Sequence, residues 1–361
     1  MTTLDAKLAS AGTAVRPSRR KVFVALTFLL IASAVLSLAI GPTGISLQAL
    51  PRAIAVSLGY TDDLAAARDR LVLIDLRLPR TLLAAFVGAA LATSGAIMQG
   101  LFRNPLADPG LVGVSSGAAL AAVATIVLGQ GIGAPLIAPL GIYALPIAAF
   151  GGGLIMTLLL VSIAARQGQL AVGTLLLAGL AIGALAGAIS SVIVTASDDR
   201  QLRDLTLWQM GSLSGASWQK VFAIVPFAIA IALLAPRLTR GLNGLLLGEA
   251  EAMHLGIDTE RIKRIAIATT AAAVGAAVAV AGIIGFVGLV VPHIMRLISG
   301  PDHRVVLPGS AILGASLVIF ADIVARMALR PAELPIGIVL ALVGAPVFLH
   351  LILKRGIGGS E

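Results

Sequence analysis

About ten apolar stretches, each near the length a helix needs to cross a bilayer, run almost end to end through this chain of 361 residues. A hydrocarbon core about 30 Å thick takes roughly 20 helical residues to span, and inside it every backbone N–H and C=O must be satisfied by the protein itself. Only helices or a closed β-barrel meet that demand. A barrel strand alternates apolar and polar residues, whereas these runs are continuously apolar, so the pattern predicts an all-α polytopic membrane protein. Composition agrees, with 58% hydrophobic and 12% charged residues against about 25% charged in a soluble domain.

The runs predict spans over 22–41, 82–101, 111–128, 144–165, 172–195, 221–235, 265–281, 283–298, 305–328 and 334–353. The stretch 265–298 is unbroken and apolar, and at 1.5 Å per residue its length of roughly 51 Å is too long for one crossing. A break is expected at the cluster Gly282, Gly285, Gly288 and Pro292. The organisation is then an N-terminal tail (1–21), a single transmembrane domain (22–355) and a C-terminal tail (356–361).

Charge sets the expected orientation. Arg16, Arg19, Arg20 and Lys21 precede the first span, which places the N-terminus in the cytoplasm under the positive-inside rule; an even span count returns the C-terminus there too. On that face fall Arg103, Arg166, Arg237, Arg240, Arg261, Lys263, Arg264, Arg296, Arg304, Lys354 and Arg355, nearly all without an acid nearby in sequence. The outer loops interleave both signs, as in Asp62, Asp63, Arg68, Asp69, Arg70, Asp75, Arg77 and Arg80, and again in Asp198, Asp199, Arg200, Arg203 and Asp204. Topology accounts for the net charge of +9 without nucleic-acid binding. The first span has a basic flank like a signal peptide, but its apolar core of about 20 residues exceeds a signal h-region, so an uncleaved anchor is expected.

Motifs of catalysis are missing or out of context. Gly113, Ser115 and Gly117 spell the hydrolase elbow G-x-S-x-G, yet that device needs a strand-to-helix turn above a sheet, and here it opens an apolar helix. Gly113 and Gly117, with Gly179, Gly183 and Gly187, read instead as small-residue helix-packing faces. Every lysine follows Ala6, Arg20, Gln219, Ile262 or Leu353, never glycine, which rules out a G-x-x-x-x-G-K phosphate loop in this chain. Cysteine is absent, so thiol chemistry and disulfides are excluded.

Energy must come from a gradient or from another protein. An ion-coupled carrier places acids near the midplane, whereas the acids here sit in loops or near span ends. Asp322 is the main exception, and Arg326 four residues on offers it a partner on the same helix face. The segment 241–264 points to an external motor: Gly248, Glu249, Ala250, Glu251, Ala252, Leu255 and Gly256 suggest two short helices joined by a glycine turn, a knob able to pass a rigid-body push to the spans. An ordinary solvated loop is the other reading of that pattern.

At several separate blocks the sequence resembles the FecCD-type permeases, membrane subunits of type II ATP-binding-cassette (ABC) importers for haem, ferric siderophores and cobalamin. The blocks begin with RLPRTLLAAFVGAALATSGAIMQGLFRNPLADPGLVGVSSGAAL (77–120) and WQMGSLSGASW (208–218), followed by GEAEAMHLGID (248–258) and GFVGLVVPHIMRL (285–297). DHRVVLPG (302–309) and AELPIGIVLALVGAPVF (332–348) complete them. The resemblance implies a homodimer of ten-helix subunits in the inner membrane, with spans two to five and seven to ten related as inverted repeats. It also implies two cytoplasmic ATPase subunits, which use ATP and Mg²⁺, and a periplasmic binding protein; no cofactor belongs to this chain. Position by position, Gly248, Glu249, Ala250, Ala252, Leu255 and Gly256 match the ATPase-coupling segment. Arg77, Arg80 and Arg326 match arginines that meet the binding protein's glutamates. Asn104, Pro105 and Leu106 match the cytoplasmic gate, and Val172 and Gly173 stand where relatives can carry hydroxyl residues in a second gate layer.

A carrier of bare metal ions should line its spans with histidine, cysteine or acidic ligands. Of the four histidines, His254 and His303 fall in predicted loops, His350 ends the last span, and His293 stands alone after Pro292. A bulky chelate with its metal already coordinated suits such spans, and the block pattern is most similar to haem-importing members. No metal site is expected in this chain.

Overall fold

The computed structural model describes residues 17–356, apart from 42–43, 46, 61–62, 130, 132, 167–168 and 330–331. Arg16, Asp62 and both tail ends lie outside the described residues, as do the side chains of Arg166, His350, Lys354 and Arg355.

In chain order the helices are α1 (Arg19–Ala39), α2 (Leu50–Ser57), α3 (Leu64–Arg70), α4 (Leu78–Leu101), α5 (Val114–Leu128), α6 (Ala144–Ala164), α7 (Val172–Val194), α8 (Asp199–Gln209), α9 (Trp218–Leu245), α10 (Glu249–His254), α11 (Thr259–Ala281), α12 (Val287–Ser299), α13 (His303–Ala328) and α14 (Ile336–Gly356). A two-residue antiparallel pairing, Ala165–Arg166 with Gln169–Leu170, closes the turn between α6 and α7. Among the described residues, seven helical segments are long and apolar enough to cross a bilayer, and three shorter apolar helices occupy the remaining predicted spans. The chain is a multi-pass, all-α membrane protein.

Helix ends depart from expectation where proline and glycine act. The second span begins well before residue 82: α3 runs through a π-helical stretch, Leu71–Arg77, directly into α4. Pro79 has no N–H to donate and its ring crowds the carbonyl one turn back, so the wider turn relieves the clash. The indole of Trp218 donates to the carbonyl of Ile74 in that stretch (3.2 Å). The sixth span passes residue 235 and Pro236 and continues to Leu245, as neighbouring helices in a membrane permit. The long run 265–298 does break, between Gly282 (φ +72°) and Phe286 (φ +67°), while Gly288 and Pro292 lie inside α12.

Contacts between loops sort into two ends. Arg19 meets Asp302, Asn243 meets Asp302, and Lys263 meets Leu170 at one end. At the other, Arg80 meets Asp322 and Glu333, Ser212 donates to Ala281, and Ile336 donates to Gly211. That division is what ten alternating crossings require. The segment through α4 and the helix α11 are the most buried of the long helices, each 78% buried over its apolar window; they open the two halves that the inverted repeat would relate.

Close helix contacts form around α4. A Cβ on Gly88 would overlap the Gly314 carbonyl on α13, and one on Gly95 would overlap the Gly288 carbonyl on α12. Gly117 likewise lies against Gly152 and Met156. Gly113 holds the left-handed turn before α5 at φ +80°, and a Cβ there would also overlap Leu160 of α6. Gly187 has open space beside it and Gly183 touches Ser116 at ordinary distance; both line a cavity of about 420 Å³ between α5 and α7. Tight small-residue contacts are therefore made by Gly88 and Gly95 on α4 and by Gly117 on α5, whereas Gly183 and Gly187 on α7 make none.

Candidate functional site

The end that carries the N-terminus of α1 holds the proposed coupling segment. Gly248 adopts φ +129°, a conformation open to glycine, and α10 then runs from Glu249 to His254. Gly256, at φ +74°, turns the chain, and the Asp258 carboxylate caps the next helix by accepting from the Arg261 N–H (3.0 Å). The second short helix expected from sequence is thus the first turn of α11. Met253 and Leu255 are exposed and Ala252 is fully buried, so the knob presents an apolar tip on a fixed base. Ile257 packs into the space at Gly244, and Ile262 into that at Gly241.

Two side-chain networks flank α10. Asn243, five residues before Gly248, donates to Asp302 (2.8 Å) and accepts from the His303 backbone N–H (2.9 Å). The buried His303 ring abuts Gly100, leaving no space there for a Cβ. Gly100 is followed by the turn with Asn104, Pro105 and Leu106, where the Asn104 side chain accepts from the Leu106 N–H (2.9 Å) and Leu106 is 47% exposed. On the other flank Lys263 reaches Glu249 (2.5 Å), Glu260 (2.9 Å) and the Leu170 carbonyl (3.3 Å). Glu260 also accepts from the Leu170 N–H (2.9 Å). Val172 and Gly173 open α7 two residues later. The turn Pro109–Val112 contacts α7, so both candidate gate segments share one end of the bundle. Asp108 begins that turn; burial pushes its carboxyl above the usual range, against the Gly110 N–H that it accepts.

Two cations expected to be unpaired are internal. Lys263 is 4% exposed and held by two glutamates, and Arg296 bonds to Gln99 and the Ala96 carbonyl. Sequence separation hid Gln99 from Arg296, and Glu249 and Leu170 from Lys263, whereas Glu260 lies only three residues from Lys263.

At the opposite end the three arginines expected on an outer rim are built into the framework. Arg77, 4% exposed, donates to the carbonyls of Leu38 (2.5 Å), Ile45 (3.0 Å) and Ala39 (3.4 Å). It thereby caps the C-terminus of α1, where carbonyls lack helical partners and the helix dipole is negative. Arg80 grips Asp322 with Nε (3.0 Å) and Nη2 (2.8 Å) and Glu333 with Nη1 and Nη2 (both 3.0 Å). Arg326 pairs with Asp322 (3.1 Å), as the four-residue spacing predicts, and also donates to the Ser37 hydroxyl (3.0 Å). Asp322 side-chain exposure is 1%, against 12% for Arg80 and 34% for Glu333. In this structure Arg77 and Arg326 are buried in these networks, and the Arg80–Glu333 edge is the more exposed part of the cluster. Glu333 sits in the block AELPIG but has no sequence neighbour to announce its partner.

Ten apolar helices, a knob on a fixed base at one end and flanking turns at the mouth define a transport subunit that crosses the membrane many times. The chain belongs to the FecCD transport family, whose model matches residues 29–354. It is 47% identical over 282 residues to the hemin transport system permease protein HmuU of Yersinia pestis, covering 78% of this chain and 83% of the relative. Identity is also 47%, over 292 residues, to the vitamin B12 import system permease protein BtuC of Shigella sonnei, covering 80% and 86%. Among solved structures, an ABC transporter of metal-chelate type in an inward-facing conformation superposes with TM-score 0.79 at 32% identity, covering 93% of this chain and 99% of that one. PsaBC from Streptococcus pneumoniae shares the fold, with TM-score 0.52 at 14% identity over 79% and 94%.

Proposed function

We propose that this chain is the permease subunit of an inner-membrane ABC importer that carries a metal chelate, haem first, from periplasm to cytoplasm by alternating access. The observation that carries the reading is α10: a short helix with exposed Met253 and Leu255, fixed at its base and bracketed by networks that lead to the two turns at the mouth. Two ATP-binding subunits engage Gly248 to Gly256 and use ATP and Mg²⁺; the chain itself holds no cofactor. Asn104, Pro105 and Leu106, with Val172 and Gly173, form the gate, and Leu106 closes it by excluding water. Both termini are cytoplasmic, as the basic flank of α1 indicates.

A second copy of the chain completes the path. Over the apolar window of α7, 6% of residues are buried, and Leu177, Leu180 and Val192 are each at least 70% exposed. A periplasmic binding protein docks at the end marked by the Arg80–Glu333 pair, while Arg77 and Arg326 hold the helices beneath it. Likeness to HmuU supports the haem reading, and equal likeness to BtuC supports cobalamin as the second. The test is uptake into proteoliposomes containing this chain, its neighbouring ATPase and its binding protein, offered haem, a ferric siderophore and cobalamin in parallel. Uptake of haem alone supports the first reading; uptake of cobalamin or the siderophore alone replaces it.

A further inference from the structure

We infer that Lys263 is the positioning residue that couples movement of α10 to the gate end of α7. This rests on the functional reading above, since it names the part through which that coupling passes.

The geometry is specific. Lys263 lies in the first turn and a half of α11, with its side chain 5% exposed. Its ammonium has three donors, and three acceptors on different elements receive them: Glu249 of α10, Glu260 of α11 and the Leu170 carbonyl in the α6–α7 turn. Glu260 completes a ring by accepting from the N–H of the same Leu170. Leu170 is therefore held at both backbone groups while its side chain is buried. The chain is then fixed in both directions: Ala171 donates to Ala164 behind it, and Leu175 donates to Ala171 at the start of α7.

A salt bridge placed only for stability would not need to reach a backbone carbonyl on a third element. The paired charges are unequal, one cation between two carboxylates, and both glutamates keep partial solvent access, at 42% for Glu249 and 25% for Glu260. Without Lys263 the two carboxylates repel, and the Leu170 carbonyl loses the donor that ties it to α10. The Lys263 side chain bonds to both α10 and the α6–α7 turn. When α10 is displaced as a rigid body, Lys263 transmits the displacement to Leu170 and so to Val172 and Gly173, because packed elements move between discrete arrangements.

The experiment uses the full complex of this chain with its ATPase and binding protein in proteoliposomes. Lys263→Met keeps the length of the stem and removes the charge; Lys263→Arg restores both. A second variant, Glu260→Leu, cuts the Leu170 N–H bond while leaving the Glu249–Lys263 pair, and provides the test if Lys263→Met does not fold and insert into the membrane. The readouts are ATPase co-purification, basal ATP hydrolysis, and ATP consumed per cargo taken up. We expect Lys263→Met to bind the ATPase and hydrolyse ATP within about twofold of wild type while ATP per cargo rises about tenfold. Lys263→Arg recovers most of the coupling, and Glu260→Leu shows the same split as Lys263→Met. Wild-type ATP per cargo in both Lys263→Met and Glu260→Leu overturns the inference. So does loss of ATPase binding in Lys263→Met, which would make the lysine part of the knob's own structure. Failure of the reading beneath it is separately visible: the wild-type chain would neither bind the ATPase nor couple hydrolysis to uptake.

Discussion

Single residues divide sharply into those with no room and those with room to spare. Gly95 faces the Gly288 carbonyl directly, so Gly95→Ala forces α4 and α12 apart. Overpacking of this kind costs about 1–3 kcal/mol and should lower the melting temperature in detergent. Gly187→Ala, with open space beside it, should leave that temperature unchanged. Asp322 makes the opposite case, a buried carboxylate shared by Arg80 and Arg326. Asp322→Asn strands two guanidiniums, and loss of one partner from a buried pair costs about 3–5 kcal/mol. We expect a larger drop in melting temperature than for Glu333→Gln, whose side chain keeps 34% of its exposure. Asp302 gives a pH signature. Burial opposes its charge, but the Arg304 N–H, the Asn243 amide and the Arg19 and Arg304 charges outweigh it and hold the carboxyl below its ordinary range. Its folded pKa is thus below its unfolded one, so its stabilisation is complete above about pH 4 and fades as pH falls through the folded value. Asp302→Asn should melt earlier than wild type near neutral pH, and the two curves should converge in acid.

At the scale of elements, α10 is the part on which the proposed function turns. Gly256 sits at φ +74°, where a bulky residue is strained, and Glu249 is tied to Lys263. Gly256→Trp or Glu249→Arg should abolish co-purification of the ATPase while membrane insertion stays normal; wild-type co-purification in both would show that the knob is not the docking element. The ten crossings were legible in sequence because hydrocarbon solvent imposes length and apolarity on each span independently. So was the break in the long run at Gly282, and the local pair of Asp322 with Arg326. The arginines' partners within the chain were hidden for a physical reason: near a membrane surface, Arg77 beside lipid or a partner and Arg77 capping α1 have the same sequence, and only the fold brings Leu38 within reach. The contacts of Lys263 and Glu260 with Leu170 were hidden in the same way, as was that of Glu333 with Arg80, because they join segments far apart in the chain.

As a whole, the molecule is a framework with a rigid centre and two unlike ends. The segment through α4 and the helix α11 are mostly buried, whereas α7 offers a bare apolar face, the face assigned to the proposed second subunit. One end locks arginines against carboxylates and helix carbonyls, and the other carries a knob linked to the turns at the mouth. Such a design moves when something outside it pushes, and the acids that an ion-driven carrier would need near the midplane are spent here in ion pairs or helix caps at the ends. The most direct measurement of that claim is uptake by the reconstituted complex under two separate challenges, depletion of ATP and collapse of the proton and sodium gradients. External drive predicts uptake that stops without ATP and persists without gradients; uptake that follows the gradients and ignores ATP would contradict it.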